Sequence, residues 1–323
     1  MGITVKNILL SSAVLLAIGA TSAAAADLPA KVYTKAPPVA AFDPWDIAFG
    51  AGITNDYLFR GVTQSNHKPS ANAYFEPRYN VNKDLQLYVG TSASSIAFAN
   101  RASVELDGYF GVRPTFGPVA FDFGFWYYGY PGGTCFAGVA GFGAECAANA
   151  LANGNFIKKD VSFYEGYAKV NWTINDVVTV GGNAYYSPNF LNTGADGTYA
   201  SITGKITAPS TFFGSSGIGA YISGEFGRQW LGTSDAFYGN IKYADYNTWN
   251  IGVGFTYKVF TLDIRYSDTD LSRANCNAFT SDHTATFDGS FSPINPSGVG
   301  SGWCGPAGIV KLSADLTAMT NLK

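Results

Sequence analysis

The run Val119-Ala-Phe-Asp-Phe-Gly-Phe-Trp-Tyr-Tyr128 alternates in character over ten residues. Val119, Phe121, Phe123, Phe125 and Tyr127 fall on one face of a strand, and Ala120, Asp122, Gly124, Trp126 and Tyr128 on the other. The run Phe163-Tyr-Glu-Gly-Tyr-Ala-Lys-Val-Asn-Trp172 repeats the pattern. There Tyr164, Gly166, Ala168, Val170 and Trp172 oppose Glu165, Tyr167, Lys169 and Asn171. Strands in soluble domains run about five or six residues. Ten alternating residues, with aromatics where the apolar face begins and ends, match a strand that crosses a membrane at a tilt. The expected fold is therefore all-β, an antiparallel transmembrane β-barrel.

Working outward, the same alternation predicts twelve strands. They lie near 45–57, 70–80, 84–95, 102–115, 118–129, 161–173, 176–187, 197–207, 218–230, 244–257, 259–269 and 306–316. No helix-period segment competes outside the N-terminal leader. The connections carry a second, independent signal. Asn80 to Lys83, Phe116 to Pro118, Ile174 to Asp176 and Lys258 are short, whereas Phe59 to Pro69, Tyr130 to Asp160, Leu231 to Tyr243 and Ser272 to Gly305 are longer. Short periplasmic turns alternating with longer extracellular loops are the habit of bacterial barrels. Ala208 to Gly217 is longer than this rule predicts.

Composition agrees. Charged residues make up 13% of the chain, against roughly 25% in ordinary globular proteins, while 38 Gly, 20 Tyr and 24 Phe suit a lipid-facing exterior. A net charge of −3 without a basic cluster excludes a nucleic-acid partner. After residue 26 no stretch approaches the roughly 18–20 apolar residues of a spanning helix. Residues 1–26 read as a signal peptide, with Lys6, an apolar run from Ile8 to Ala20, and small residues Ala24 to Ala26 before the cleavage site. Residues 27–44, with Pro29, Pro37, Pro38 and Pro44, read as a periplasmic linker, and 45–323 as the barrel.

The cysteines fall two to a loop, Cys135 with Cys146 and Cys276 with Cys304. Export places them in an oxidising compartment, so disulfides are expected, and the spacings match no zinc pattern. No metal and no cofactor is expected.

Asp56-Tyr57-x-Phe59-Arg60-Gly61 is followed by Thr63-Gln64-Ser65 and Pro69-Ser-Ala. Tyr88-Val-Gly-Thr-Ser-Ala-Ser, Glu105-Leu-Asp-Gly-Tyr, Tyr127-Tyr-Gly-Tyr-Pro131 and Tyr185-Tyr-Ser-Pro-Asn-Phe190 come later. On these residues the chain resembles the TorF, or Gcw-chp, family of Gram-negative outer-membrane proteins. The resemblance implies an outer-membrane barrel with a suspected pore role and offers no catalytic residue. The cysteine-bearing loops and the proline-rich linker depart from the family pattern. Within the rim motif, Asp56, Tyr57, Phe59, Arg60, Gly61 and Gln64, Arg60 beside Asp56 suggests an ion pair. That pair would either face the lumen or hold the first loop and the strand register.

If the apolar face meets lipid, the polar face lines a lumen. Its charged members would be Glu76, Arg78, Glu105, Asp107, Arg113, Asp122, Glu165, Lys169, Lys205, Glu225, Asp263, Arg265, Lys311 and Asp315. The expected function is a passive porin-like channel for small solutes. The alternatives are a structural or adhesive surface barrel with a plugged lumen and, from another class, an outer-membrane lipase. His67 and His283 both fall in loops, and Gly-x-Ser-x-Gly is absent, so no catalytic residue is expected. Outer-membrane lipid is the expected partner, and the oligomeric state stays open. The chain ends Met319-Thr-Asn-Leu-Lys323, without the usual terminal aromatic.

Overall fold

The computed structural model describes residues 44–137, 146 and 149–322. The signal peptide and all of the linker but Pro44 lie outside these residues.

Twelve strands close on themselves in sequence order. They are β1 (Trp45–Thr54), β2 (Ser70–Asn82), β3 (Leu85–Ser95), β4 (Val104–Phe116), β5 (Val119–Gly129) and β6 (Phe163–Thr173). Then follow β7 (Val178–Ser187), β8 (Gly197–Thr207), β9 (Ile218–Leu231), β10 (Tyr246–Tyr257), β11 (Phe260–Thr269) and β12 (Ala307–Thr317). Each strand is antiparallel to its neighbour, and β12 seals the cylinder against β1 with Leu316 opposite Phe49. The last strand therefore closes the barrel despite its lack of aromatics. All strand edges are paired, the condition for backbone to cross lipid.

The period-two pattern sorts side chains as the physics of that environment requires. Val89, Ile202, Ile222, Ile251, Ile264, Val310 and Leu312 stand exposed on the outside. Aromatics border this belt on both sides. Trp45, Tyr79, Phe116, Trp172, Tyr257 and Phe260 lie at the short-turn end, and Tyr127, Tyr164, Tyr186, Trp230 and Tyr266 at the long-loop end. An apolar band between two aromatic girdles is the signature of a transmembrane barrel. The protein is an outer-membrane β-barrel. Ala208 to Gly217, the long turn, carries Phe212 and Phe213, and Phe213 packs on the outward Phe255 with ring centroids 6.4 Å apart. The extra length presents aromatics to the same interface.

Proline marks two local irregularities. Pro77 and Pro114 lack an N–H, and the ladders β2–β3 and β4–β5 skip the pairs around them.

The loops are more structured than alternation foretold. A two-residue ribbon, Leu58–Phe59 with Val62–Thr63, lies in the first loop, and another, Thr286–Phe287 with Val299–Gly300, in the last. The last loop also holds a helix, α1 (Arg273–Thr280), against the expectation of none. Ser272 caps it by accepting from the Asn275 N–H, and it buries Ala274, Cys276, Asn277 and Phe279. About two turns of helical pattern inside a long loop are too short to stand out in sequence. A final turn, α2 (Ala318–Asn321), follows β12.

Candidate functional site

The buried apolar cluster of this protein lies in the loops, not along the barrel axis. Val62, Phe98, Phe136, Ile157, Phe190, Leu231, Phe279 and Trp303 belong to it, drawn mostly from the longer connections at one end of the barrel. It caps the long-loop end of the barrel around a cavity of about 50 Å³ bordered by Phe59, Phe98, Phe190 and Trp303. The outer mouth is thus occluded by folded loops.

Loop 1, residues 55–69, reaches into the barrel. At the tip of its ribbon Arg60 and Gly61 are both left-handed, with φ of 51° and 78°. Glycine is required at 61, because a Cβ would run into Thr269 and Thr248. Asp56 organises this loop from within. Its Oδ1 accepts from the hydroxyls of Thr63 (2.5 Å) and Ser65 (2.9 Å), and its Oδ2 lies 2.8 Å from Nδ1 of His67. Gln64 Nε2 donates to the Val62 carbonyl at 3.0 Å.

The expected Arg60–Asp56 pair does not form. Arg60 turns away into the barrel, where Nη2 donates to Glu165 Oε2 at 2.6 Å and Nη1 to Gln229 Oε1 at 2.9 Å. The reason is geometric: Asp56 is already saturated by short-range donors, and the left-handed tip points position 60 the other way. Both lumen partners are fully buried, at 0% exposure. The guanidinium carbon lies 4.5 Å from the Phe59 ring, 4.9 Å from Tyr185, 5.7 Å from Phe190 and 4.5 Å from Tyr199. Burial works against the charge, but Glu165, together with Tyr128 and Tyr185, more than offsets it and raises the Arg60 pKa above its ordinary value. On β4, two strands from Glu165, the Tyr57 hydroxyl donates to Glu105 Oε1 at 2.7 Å. Burial, then Glu105 and Asp107, push that hydroxyl well above its usual pKa, so it remains a donor. Phe59 packs edge-on against Tyr128. Loop 1 is thereby tied to both sides of the lumen.

Below this cap the charged residues named from sequence take lumen positions, and most find partners. Glu76 bridges Arg78 (2.6 Å) and Arg113 (2.8 Å), and Arg113 reaches Asp122 at 3.2 Å. Tyr88 bonds both Asp122 and Tyr167, and Lys169 sits over the Tyr167 ring. Asp263 pairs with Arg265 at 3.0 Å and accepts from Tyr221, whose ring faces Lys205. Tyr199 donates to Glu225, Tyr74 donates to Asp315, and Lys311 stands opposite Asp263 in register. Glu105 and Asp107 share one buried stretch of wall with no cation among the described residues bonded to them, and Ser92 donates to Asp107. Exposure grades along the lumen. The groups on β2 to β6 are buried or nearly so, while Lys205, Glu225, Arg265, Lys311 and Asp315 are partly open to water. What sequence reasoning missed is the tyrosine lining, Tyr88, Tyr109, Tyr167, Tyr185 and Tyr199, together with Gln229. The available signal was their place on the polar face of alternating strands.

Each cysteine pair is bonded within its own loop. Cys135 joins Cys146 with Cα atoms 5.0 Å apart, and Cys276 joins Cys304 at 6.0 Å. All four thiols should therefore resist alkylation until a reductant is added, with the barrel surviving reduction because strand pairing closes it. Mass mapping of the unreduced protein checks this, and a Cys135 to Cys276 bridge would refute local pairing. Among the described residues no cluster of three or more His, Cys, Asp or Glu could hold a metal. His67 sits against Asp56, and His283 packs edge-on to Trp303, both in loops.

A closed barrel with a charged lumen under folded loops defines the class of the protein. Residues 39–145 match the family model described as a bacterial protein of unknown function, Gcw_chp. The match does not carry the TorF name. No curated protein matches the chain. Solved structures with a similar fold include OmpT, an outer membrane protein of Vibrio cholerae, at 11% identity and TM-score 0.35, covering 86% of this chain and 99% of that one. An outer membrane channel from Pseudomonas putida F1 is similar at 13% identity and TM-score 0.39, covering 88% and 100%. LpxR from Salmonella typhimurium is similar at 9% identity and TM-score 0.38, covering 83% and 99%. These likenesses concern the barrel and carry no activity to this chain.

Proposed function

We propose that this barrel is a narrow, porin-like passage for small solutes whose outer end is held shut by loop 1. The observation that carries the reading is the Arg60 side chain, which leaves a loop and bonds two fully buried residues on the far wall, Glu165 and Gln229. A closure made by a loop is separable from the wall, whereas side chains of paired strands are not. The partly hydrated charges below it, Lys205, Glu225, Arg265, Lys311 and Asp315, supply a polar path from the short-turn end. No catalytic role is proposed.

Single-channel recording in a planar bilayer tests this. The wild-type protein should show small, infrequent openings, and Arg60→Ala larger and longer ones. Silence from both, with insertion verified by the shift between unheated and boiled migration in SDS, would overturn it. That outcome favours the second reading, a structural or adhesive barrel with a plugged lumen. The specific observation behind the second reading is the pair of disulfide-closed loops folded into one extracellular core.

A further inference from the structure

The Arg60 guanidinium sits in a cage that the rest of the protein builds. Glu165 comes from β6, Tyr185 from β7, Tyr199 from β8 and Gln229 from β9, four strands bonded side by side. Phe190, from the loop between β7 and β8, covers a further side. Aromatic faces attract cations through the ring quadrupole, and more so in a site cleared of water. A carboxylate and an amide oxygen in the same cage accept the forked N–H groups of a planar guanidinium. The strands that carry Glu165, Tyr185, Tyr199 and Gln229 belong to the closed wall and not to loop 1.

The occupant does depend on it. Arg60 hangs from a ribbon only two residues long on each side. Its fit is also incomplete: Glu165 uses Oε2 for Arg60, while Oε1 is buried with no hydrogen-bond partner among the described residues. The cage thus holds one more buried acceptor than its resident fills, and a carboxylate offers both oxygens to a freely placed guanidinium.

We propose that this cage is a binding site for small organic cations of the guanidinium or alkylammonium type, with Arg60 as the resident side chain that occupies it until such a cation arrives. A solute cation and Arg60 compete for the same groups, so occupation by the solute frees loop 1. Opening of the mouth by that exchange rests on the channel reading; binding in the cage does not.

The test is calorimetric titration of the whole protein in detergent with methylguanidinium, with methylurea as the neutral probe of the same shape. Arg60→Ala, shown folded by its heat-dependent migration, should bind methylguanidinium saturably and at least about tenfold tighter than methylurea, the order expected of a charge-assisted hydrogen bond. The wild-type protein, in which Arg60 competes for the cage, should bind methylguanidinium saturably but more weakly than Arg60→Ala. Arg60→Ala combined with Glu165→Gln should lose about tenfold or more in affinity. If Arg60→Ala does not assemble, Arg60→Gln carries the same titration. A folded variant that shows no saturable heat, or that takes both probes equally, overturns the site. Binding with a silent bilayer would keep the site and overturn only its role in permeation.

Discussion

Arginine in place of Ile264 will prevent assembly of the barrel, whereas Ser267→Ala, three residues along the same strand, will be tolerated. Ile264 lies mid-strand in β11, opposite Val253 on one neighbour and Val310 on the other, and 45% of it is exposed on the lipid face. A guanidinium at that depth costs roughly 2–4 kcal/mol, a large part of the ~5–15 kcal/mol that holds a typical domain together. Ser267 faces the lumen and is 5% exposed, so its replacement removes a hydroxyl and adds no charge to lipid. The fraction of unheated protein that migrates as folded in SDS, measured on outer-membrane fractions, reads the difference. Equal losses for the two variants would mean that β11 does not face lipid as assigned.

That prediction uses the part of the structure most legible in the sequence. A period of two assigns every strand residue to a face, and lipid on one side with water on the other leaves no freedom in which face is which. Hence Glu165 and Lys169 could be placed inward, and Tyr164 and Trp172 outward, from the alternation alone. Even β12 was legible, because Val310, Leu312 and Ala314 alternate with Lys311, Ser313 and Asp315 whatever residue ends the chain.

The mouth was not legible, for a physical reason. Alternation carries no information about where a loop packs, since loop backbone follows turn conformations and side-chain contacts that join residues far apart in sequence. The Arg60–Glu165 contact spans 105 residues and the Arg60–Gln229 contact 169. Sequence proximity instead suggested Asp56 as the partner of Arg60. The local geometry forbids it, because a left-handed tip at Arg60 and Gly61 throws the side chain away from the residues that precede it. The cue lay in the Arg-Gly pair at a turn and in the acidic residue on the polar face of β6, but nothing in the pattern links the two.

Glu165→Leu will release loop 1, and trypsin will read the release at a bond now protected. Removing one member of a buried ion pair strands the other charge, at a cost of about 3–5 kcal/mol if the partner stays in place. Arg60 need not stay. It is carried on a short ribbon, so the loop escapes the penalty by undocking and returning the guanidinium to water, while the twelve-stranded wall remains closed. In the wild-type protein the Arg60 side chain is 6% exposed and out of reach of a protease pocket. In Glu165→Leu, cleavage after Arg60 should accelerate on the order of a hundredfold, the equivalent of about 3 kcal/mol, with the barrel still folded in unheated SDS. Glu225→Leu provides the control. It removes a carboxylate from the same lumen whose hydrogen bond goes to Tyr199 rather than to Arg60, so it should leave that bond protected. The result that would sink the argument is cleavage after Arg60 at wild-type rate in Glu165→Leu. Loop 1 would then be held by Tyr57 on Glu105 and by the apolar cluster, with the arginine a passenger.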